Sequence, residues 1–310
     1  MNVIIICGPT ATGKSQLAIK LAQSTKGHII NADSIQFYQG LKIGSAAPSD
    51  HDLAQVPHHL FHVLAYPETA TVGWFYRTVM NKLYELQAQE VPFVFIVGGS
   101  GFYLQTLEKG LLPVTPHNHE VRLQLEREKT TKGLGSLYEE LCARDPQWAK
   151  RINPNDAYRI VRALEILRQH NKSLTQIQKE YETQSHPFPF PLLKLGLKAD
   201  KNWLLNRVEQ RVHQMIQNGL LEEVEGFILR QQQDWPALKA VGYKECLAFL
   251  SESESNLDDL KNKIVKNTMA LIKKQVTWLK RDLKIHWLDA HSAELLSQAK
   301  TFIFSSQISS

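Results

Sequence analysis

The sequence predicts an α/β protein: a P-loop core whose mainly parallel sheet is flanked by helices, together with a helical insertion domain. Two observations predict this class. Short apolar runs alternate with segments of helical spacing, as expected where helices cover both faces of a parallel sheet. A glycine-rich loop joins the first apolar run to the first helical segment, the position of a phosphate-binding loop. The 310 residues, 43% hydrophobic and 22% charged, suit one large core with a smaller attached domain.

The first part of the chain supplies three predicted strands and two predicted helices. Apolar runs at residues 3–7, 28–32 and 93–97 each end at a polar or glycine turn, which is typical of buried strands. Residues 16–23 and 78–89 between them show helical spacing. Strands separated by helices are expected to pair in parallel.

The middle of the chain has a different pattern. From about residue 116 to residue 181 the segments indicate helices without a convincing strand. The stretch "HPFPFP" at residues 186–191 cannot lie inside a helix, because proline lacks the backbone donor, and it is interpreted as a connector. Apolar runs at 192–197 and 284–288 then return to the sheet. We therefore predict a discontinuous core, residues 1–115 with 192–310, and a helical insertion at 116–191.

Composition excludes several classes of protein. No run approaches the ~18 apolar residues of a membrane span, and the N-terminal run lacks the basic start and cleavage site of a signal peptide. The three cysteines, Cys7, Cys142 and Cys246, are far apart and form no CxxC pair. This argues against a disulfide framework or a zinc site and favours a reducing cytoplasm.

The net charge of +5 is mild, but its distribution is uneven. Between Lys261 and Lys284 the only acidic residue is Asp282, and the eight basic residues are Lys261, Lys263, Lys266, Lys273, Lys274, Lys280, Arg281 and Lys284. Such a run is either a solvated helix face or a contact surface for a polyanion such as a nucleic acid.

The loop "GPTATGKS" matches the pattern G-x-x-x-x-G-K-[ST] between a predicted strand and a predicted helix. Its backbone N–H groups and the helix N-terminus offer oriented positive dipoles to phosphate oxygens. The lysine adds a full charge, and the Ser15 hydroxyl can reach Mg²⁺ or a phosphate oxygen. The predicted phosphate-binding residues are Gly8, Pro9, Thr10, Ala11, Thr12, Gly13, Lys14 and Ser15.

A phosphate loop does not by itself specify a reaction. Nucleotide hydrolases usually carry an acid after a second apolar strand, whereas residues 93–97 are followed by "GGSG". The acid instead follows the strand at 28–32, where Asp33 is expected at the ligand-binding edge of the sheet together with Ser100. Asp33 is either a general base or a turn or capping residue. A kinase and a transferase that releases diphosphate both fit these residues.

Eight motifs, in this order, resemble the tRNA dimethylallyltransferase (tRNA isopentenyltransferase) family of the bacterial type. They are "GPTATGKS", "NADSIQFYQGLKIGSAAP", "VPHHLFHV", "VGGSGFYLQTLEKGL", "NPNDAYRIVRALEI", "RVEQRVHQMIQNGLLEEV", "AVGYKE" and "QVTWLKRD". The resemblance extends from Ile4 to about Asp289, nearly the whole chain, and several of these motifs are far more specific than the phosphate loop.

The resemblance implies a donor, an acceptor and site residues. The donor is dimethylallyl diphosphate, and the acceptor is N6 of adenosine 37 in the anticodon stem-loop of tRNA. Asp33 is implied as the general base, with Ser100 and Lys14 as further catalytic residues, and Mg²⁺ as the cofactor near Ser15. A diphosphate-binding arginine is implied in "RVEQR", and Arg207 and Arg211 both match. The implied tRNA contacts are Asp33, Ser34, Ile35, Gln36, Ser100, Arg122, Tyr158, Arg159, Ile160, Val161, Arg162, Val241, Gly242, Tyr243 and Lys244.

Three alternatives compete with this interpretation. They are a P-loop kinase of a nucleoside, nucleotide or small metabolite, a non-catalytic RNA-binding protein, and an isopentenyltransferase acting on free adenine nucleotides. The missing acid after residue 97 argues against a kinase, and Asp33 with an intact loop argues against a binding protein. The helical insertion and the basic C-terminal run favour tRNA over free nucleotides. We expect a cytoplasmic monomer that does not bind membranes.

Overall fold

The computed structural model describes residues 1–114, 118–184, 187–251 and 256–305. Its six-stranded sheet has the order β3-β2-β4-β1-β5-β6, and every neighbouring pair is parallel. The strands are β1 Asn2–Cys7, β2 His28–Asn31, β3 His58–His59, β4 Phe93–Gly98, β5 Leu192–Lys198 and β6 His286–Asp289. The predicted α/β class with a parallel sheet is confirmed.

Helices separate the strands and make up most of the rest of the described chain. Thr71 caps α3, its hydroxyl accepting from the Trp74 N–H at 3.1 Å, so this helix begins six residues before the predicted start at residue 78. Gly133, with φ 83°, interrupts α5. The helices are α1 Lys14–Thr25, α2 Asp50–Gln55, α3 Val72–Ala88, α4 Gly101–Lys109, α5 His119–Arg144, α6 Pro146–Ala149, α7 Ala157–His170, α8 Leu174–Thr183, α9 Lys201–Gln217, α10 Leu220–Leu229, α11 Tyr243–Ser251, α12 Leu257–Leu279 and α13 Leu295–Ser305, with a 3₁₀ turn at Pro236–Lys239.

The chain forms two compact units, Met1–Glu108 with Phe188–Ser310, and Lys109–Pro187. The first holds the sheet, whose alternating side chains pack into a separate hydrophobic cluster on each face. The second is helical in its described residues and has its own core. We predicted the division at residues 116 and 191; Pro116, and His186 of the predicted connector, lie outside the described residues.

The strand order determines where a ligand can bind. β4 lies between β1 and β2, with Cys7 opposite Gly98 and Asn31 opposite Val97. The carboxyl ends of these three strands therefore meet at one edge, and the loops that follow them face a common space. Across the described residues, no helix is both long and apolar enough to cross a membrane.

Candidate active site

The phosphate loop has a backbone that few residues can adopt. Gly8 has φ 146°, and a Cβ there would lie 2.7 Å from the carbonyl oxygen of Leu197 on β5. Gly13 precedes α1 with φ 86°, and Ala11 has φ 67°, in the left-handed region that costs a non-glycine residue energy. The loop thereby places the N-terminus of α1 at the edge of the sheet, where its free N–H groups attract anions.

Two side chains of the loop close it on itself. The Thr12 hydroxyl and the Lys14 ammonium group each donate to the Pro9 carbonyl oxygen at 2.8 Å. Burial lowers the pKa of Lys14 to about 8, and the nearby charge of Asp33 opposes this by raising it. The Lys14 cation is therefore poorly solvated without ligand, and an anion bound in the loop would stabilise it.

The glycines at the end of β4 and in the turn after it allow close packing. A Cβ at Gly98 would lie 2.3 Å from the Ala32 carbonyl oxygen, and one at Gly101 would lie 1.9 Å from Cδ1 of Trp278 on α12. Glycines are required in the "GGSG" turn because the residues after β2 approach it on one side and α12 approaches it on the other.

Asp33 lies two residues after the end of β2, in a turn held by its neighbours. Its N–H donates to Asn31 Oδ1 at 2.8 Å, and its own Oδ1 accepts from the Ile35 N–H at 3.1 Å. The fully buried Asn31 also donates to the Leu60 carbonyl oxygen at 3.1 Å. Within the described ranges only Ile35 donates to the Asp33 carboxylate, whose second oxygen is left for a ligand.

Asp33 and the phosphate loop line the same cleft, of about 580 Å³. From the predicted site residues, the lining includes Thr10, Ala11, Gly13, Lys14, Ser15, Asp33, Gln36, Arg207 and Arg211. Ser100 is not in this lining. It is half-buried at the start of α4, where its carbonyl oxygen accepts from Tyr103 and Leu104.

Both arginines of "RVEQR" reach the loop from α9. Arg207 is exposed and donates from Nε to the Ala11 carbonyl oxygen at 2.8 Å, with its guanidinium 4.7 Å from the Trp203 ring centroid. Arg211 is half-buried and donates to Thr10 Oγ1 at 3.0 Å, and burial lowers its pKa. They are one helical turn apart, which is why both face the cleft.

Of the predicted tRNA contacts after β2, Gln36 lines the cleft as Asp33 does. The Gln36 side chain donates to the carbonyl oxygens of Ser45 and Ala46, each at 3.1 Å. Ser34 and Ile35 are half-buried.

Tyr243 is fully buried. Its hydroxyl donates to Glu223 at 2.6 Å and accepts from the Ser45 N–H at 3.2 Å, and burial together with Glu223 raises its pKa. The Glu223 carboxylate also accepts from the backbone N–H groups of Lys42, Ile43 and Gly44. The side chain of Tyr243 is therefore used to hold the loop at 42–45.

Glu223 and Gln275 have site roles that the sequence did not indicate. Gln275 Oε1 accepts from the N–H of Thr10 at 2.9 Å.

The other residues of the "VGYK" motif differ in their exposure. Val241 is half-buried, Gly242 is buried and its N–H donates to the buried Glu245 at 2.7 Å, and Lys244 is exposed.

The helical unit places its predicted contacts in different environments. Arg122 lies 6.0 Å from the ring centroid of Tyr158, which is 63% exposed, and Arg159 is exposed beside Asp156 at 3.4 Å. Arg162 pairs with the buried Glu165 at 2.9 Å. Ile160 and Val161 are buried in the core of this unit. Their side chains face inward, so among these residues the side chains that can meet RNA are the polar ones and Tyr158.

A parallel sheet with a phosphate loop, and a carboxylate in the same cleft, is the arrangement of a P-loop enzyme. The model of the IPP transferase family matches residues 36–282, and the isopentenyl transferase model matches residues 1–60. The chain belongs to the IPP transferase family, a family of prenyl transferases, and the kinase alternative is not favoured.

Relatives and solved structures agree with the family match. The tRNA dimethylallyltransferase of Bdellovibrio bacteriovorus is 43% identical over 305 residues, covering 97% of this chain and 98% of the relative. That of Geobacter sulfurreducens is 36% identical over 289 residues, covering 93% and 92%. The tRNA isopentenylpyrophosphate transferase of Bacillus halodurans superposes with a TM-score of 0.72 at 27% identity, covering 98% and 96%. A eukaryotic dimethylallyltransferase acting on tRNA gives 0.85 at 26% identity, covering 99% of this chain and 79% of that one.

Proposed function

We propose that this enzyme transfers the dimethylallyl group of dimethylallyl diphosphate to N6 of adenosine 37 of tRNA and releases diphosphate. One observation carries the proposal: the phosphate loop and the Asp33 carboxylate line a single cleft. The loop then holds the leaving group of the reaction, and Asp33 is placed for the acceptor. The family match and the names of the relatives support the same assignment.

The diphosphate end of the cleft is suited to a leaving group. Negative charge increases on the diphosphate as the allyl carbon–oxygen bond breaks. Lys14, the N–H groups at the start of α1 and the two arginines of α9 are fixed before that charge develops, which is usually a large catalytic contribution. Both Arg207 and Arg211 contact the loop, so we assign the diphosphate to the pair.

The acceptor end requires a base. An exocyclic adenine amine is a poor nucleophile because its lone pair is delocalised into the ring. A carboxylate that takes its proton as the new carbon–nitrogen bond forms contributes about 10²–10⁴-fold in rate. The Asp33 turn fixes this carboxylate through Asn31 and Ile35, and its second oxygen is the proposed proton acceptor.

Magnesium fits the Ser15 hydroxyl group at the start of α1. No cluster of three or more metal-ligating side chains occurs within the described parts of the chain. Mg²⁺ is often bound by few protein groups together with substrate phosphates, so Ser15, exposed in the cleft, would be its protein ligand. When bound, the ion would neutralise charge on the diphosphate.

The adenine must leave the anticodon-loop stack, since a stacked base cannot reach a carboxylate inside a cleft. We assign stacking and phosphate contacts in the helical unit to Tyr158, Arg159, Arg162 and Arg122, and further phosphate contacts to the exposed lysines of α12. Both kinds of contact offset the cost of extruding the base. A tRNA substrate also implies a cytoplasmic enzyme.

The test of the base is Asp33→Asn. The amide keeps the size of the carboxylate and the acceptor for Ile35, but it cannot take a proton. We expect kcat for prenylation of tRNA to fall about 10²–10⁴-fold, with the KM values of both substrates nearly unchanged. The assay is incubation with tRNA and dimethylallyl diphosphate, followed by mass analysis of the nucleosides.

Asp52→Asn is the matched control. Asp52 also lines the cleft, but its carboxylate accepts hydrogen bonds from Ser49, the N-cap residue of α2. It should retain the wild-type kcat. Near-normal turnover of Asp33→Asn would remove the base assignment. Wild-type transfer to a free adenine nucleotide in preference to tRNA would overturn the proposed acceptor.

A further inference from the structure

The crest of the phosphate loop, Thr10 and Ala11, is contacted from outside the loop by one uncharged side chain. Gln275, half-buried on α12, accepts from the N–H of Thr10 at 2.9 Å across 265 positions of sequence. A backbone N–H can only donate, so the amide oxygen of Gln275 must face the loop. The contact therefore fixes both the loop and the orientation of this side chain.

The crest needs such support because of its backbone conformation. Ala11, the next residue, has φ 67°. An L-residue holds this left-handed conformation only where its surroundings impose it. Three contacts surround the strained residue: Arg207 donates to the Ala11 carbonyl oxygen, Arg211 to the Thr10 hydroxyl, and Gln275 accepts from the Thr10 N–H.

The close approach of α12 is also visible on the opposite side of Gln275. A Cβ at Gly99 would lie 2.4 Å from Gln275 Nε2 and 3.2 Å from the Gly8 carbonyl oxygen. Gln275 thus fits between the loop and the turn after β4. The neighbouring Lys273 and Lys274 are exposed, so these side chains do not take part in the contact with the loop.

We propose that Gln275 is a positioning residue for diphosphate: its carbonyl oxygen keeps the crest of the phosphate loop in the ligand-binding conformation. It acts through Thr10 and Ala11. Binding then requires little reorganisation of the loop, and this preorganisation raises affinity. The inference rests on the proposed function only for the identity of the donor, because the loop would bind inorganic diphosphate in the same way.

The test is Gln275→Met, which keeps the length of the side chain and removes the acceptor. The affinity for inorganic diphosphate, measured by calorimetry, should fall about five- to tenfold, as expected for one lost hydrogen bond and a less ordered loop. KM for dimethylallyl diphosphate should rise by the same factor, while kcat and the Kd for tRNA stay unchanged. Lys274→Met should do the reverse, weakening tRNA and leaving diphosphate affinity unchanged.

A second substitution separates positioning from general packing. Ala11→Gly removes the backbone strain, so Ala11→Gly combined with Gln275→Met should recover most of the lost diphosphate affinity. Recovery would not follow if Gln275→Met merely disturbed the packing of α12. A Gln275→Met protein that loses tRNA affinity but not diphosphate affinity would overturn the proposal, as would absence of recovery in the double variant.

One measurement does not depend on how well the variants fold. In the wild-type chain the Thr10 amide should exchange slowly with deuterium without ligand, because its N–H is already bonded. Fast exchange would overturn the proposal. A wild-type protein that binds diphosphate with a protected Thr10 but does not prenylate tRNA would overturn the proposed function and leave this inference standing.

Discussion

At the scale of single residues, Lys14 is a group whose charge depends on its surroundings. It is held against the Pro9 carbonyl oxygen, and burial lowers its pKa to about 8. The lysine is cationic below that pH and loses its proton as the pH rises through it. A bound diphosphate favours the cation, so binding above this pH must be accompanied by uptake of a proton.

We therefore predict that the Kd for dimethylallyl diphosphate rises as the pH increases above about 8, approaching tenfold per pH unit. Lys14→Arg, whose side chain stays charged, should show no such rise. Titration calorimetry in buffers of different protonation enthalpy measures the Kd and the proton uptake together. A pH-independent Kd in the wild type would contradict the prediction.

The position of Asp33 at a strand end was predictable from the pattern, although Ser100 after β4 does not line the cleft. On the helices, Arg207 and Arg211 were expected only through the resemblance, and the roles of Glu223 and Gln275 were not expected. Asp33 follows an apolar run, so strand order alone places it at the ligand edge of the sheet. Glu223 differs in no local feature from its neighbour Glu222 on α10, and its role appears only where the loop at 42–45 packs against it. The hydrogen bond of the Tyr243 hydroxyl to Glu223 likewise depends on the burial of Tyr243, which only the structure reveals.

At the scale of elements, the turn after β4 and helix α12 depend on each other. Gly101→Ala would place a Cβ 1.9 Å from the Trp278 ring. Either α12 or the start of α4 must then move, and such overpacking costs about 1–3 kcal/mol of the free energy of unfolding. Because Gln275 is on the same helix, we expect weaker diphosphate binding as well, and denaturant titration with calorimetry measures both effects.

Gly226→Ala, in α10 of the same unit, is the control. Its Cβ would meet the mobile end of Arg230 at 3.3 Å, and alanine is favoured over glycine inside a helix by about 0.5–1 kcal/mol. This variant should be as stable as the wild type or more so. Equal stability of Gly101→Ala and Gly226→Ala would mean that α12 does not limit the turn.

The helices show what spacing alone can predict. The apolar stripe of α7 could be read from Ile160, Leu164 and Leu167, and all three are buried. Val161 was expected to contact RNA, but its side chain packs inside the helical unit. Apolar residues adjacent in sequence can share one helix face when that face is wider than a single stripe. The two-residue strand β3 was missed because it is too short to show a period.

At the scale of the whole molecule, the proposed substrate has many charges, and salt should therefore control its binding. Arg159→Ala removes an exposed guanidinium from α7 without uncovering a buried acid, whereas Arg162 is paired with the buried Glu165. We expect log Kd for the anticodon stem-loop to depend less on log salt, the slope falling by roughly 0.7–0.9 for the lost phosphate contact. Filter binding over a salt series measures it.

Arg144→Ala is the matched control for Arg159→Ala. Arg144 is an exposed arginine of the same unit, ion-paired with Glu140 at 3.1 Å on α5, and it is not among the proposed contacts. Its removal should leave the slope as in the wild type. If both substitutions change the slope equally, the effect is one of net charge and Arg159 has no specific contact.

The phosphate loop is encoded within the first fifteen residues, but the side chains that support it come from Arg207, Arg211 and Gln275. β1 likewise acquires its second neighbour only with β5. During synthesis on the ribosome, a nascent chain thus carries the binding motif long before it can hold the motif in shape. Capture of the prenyl donor should begin only after α12 has left the exit tunnel, so incomplete translation products would not sequester it.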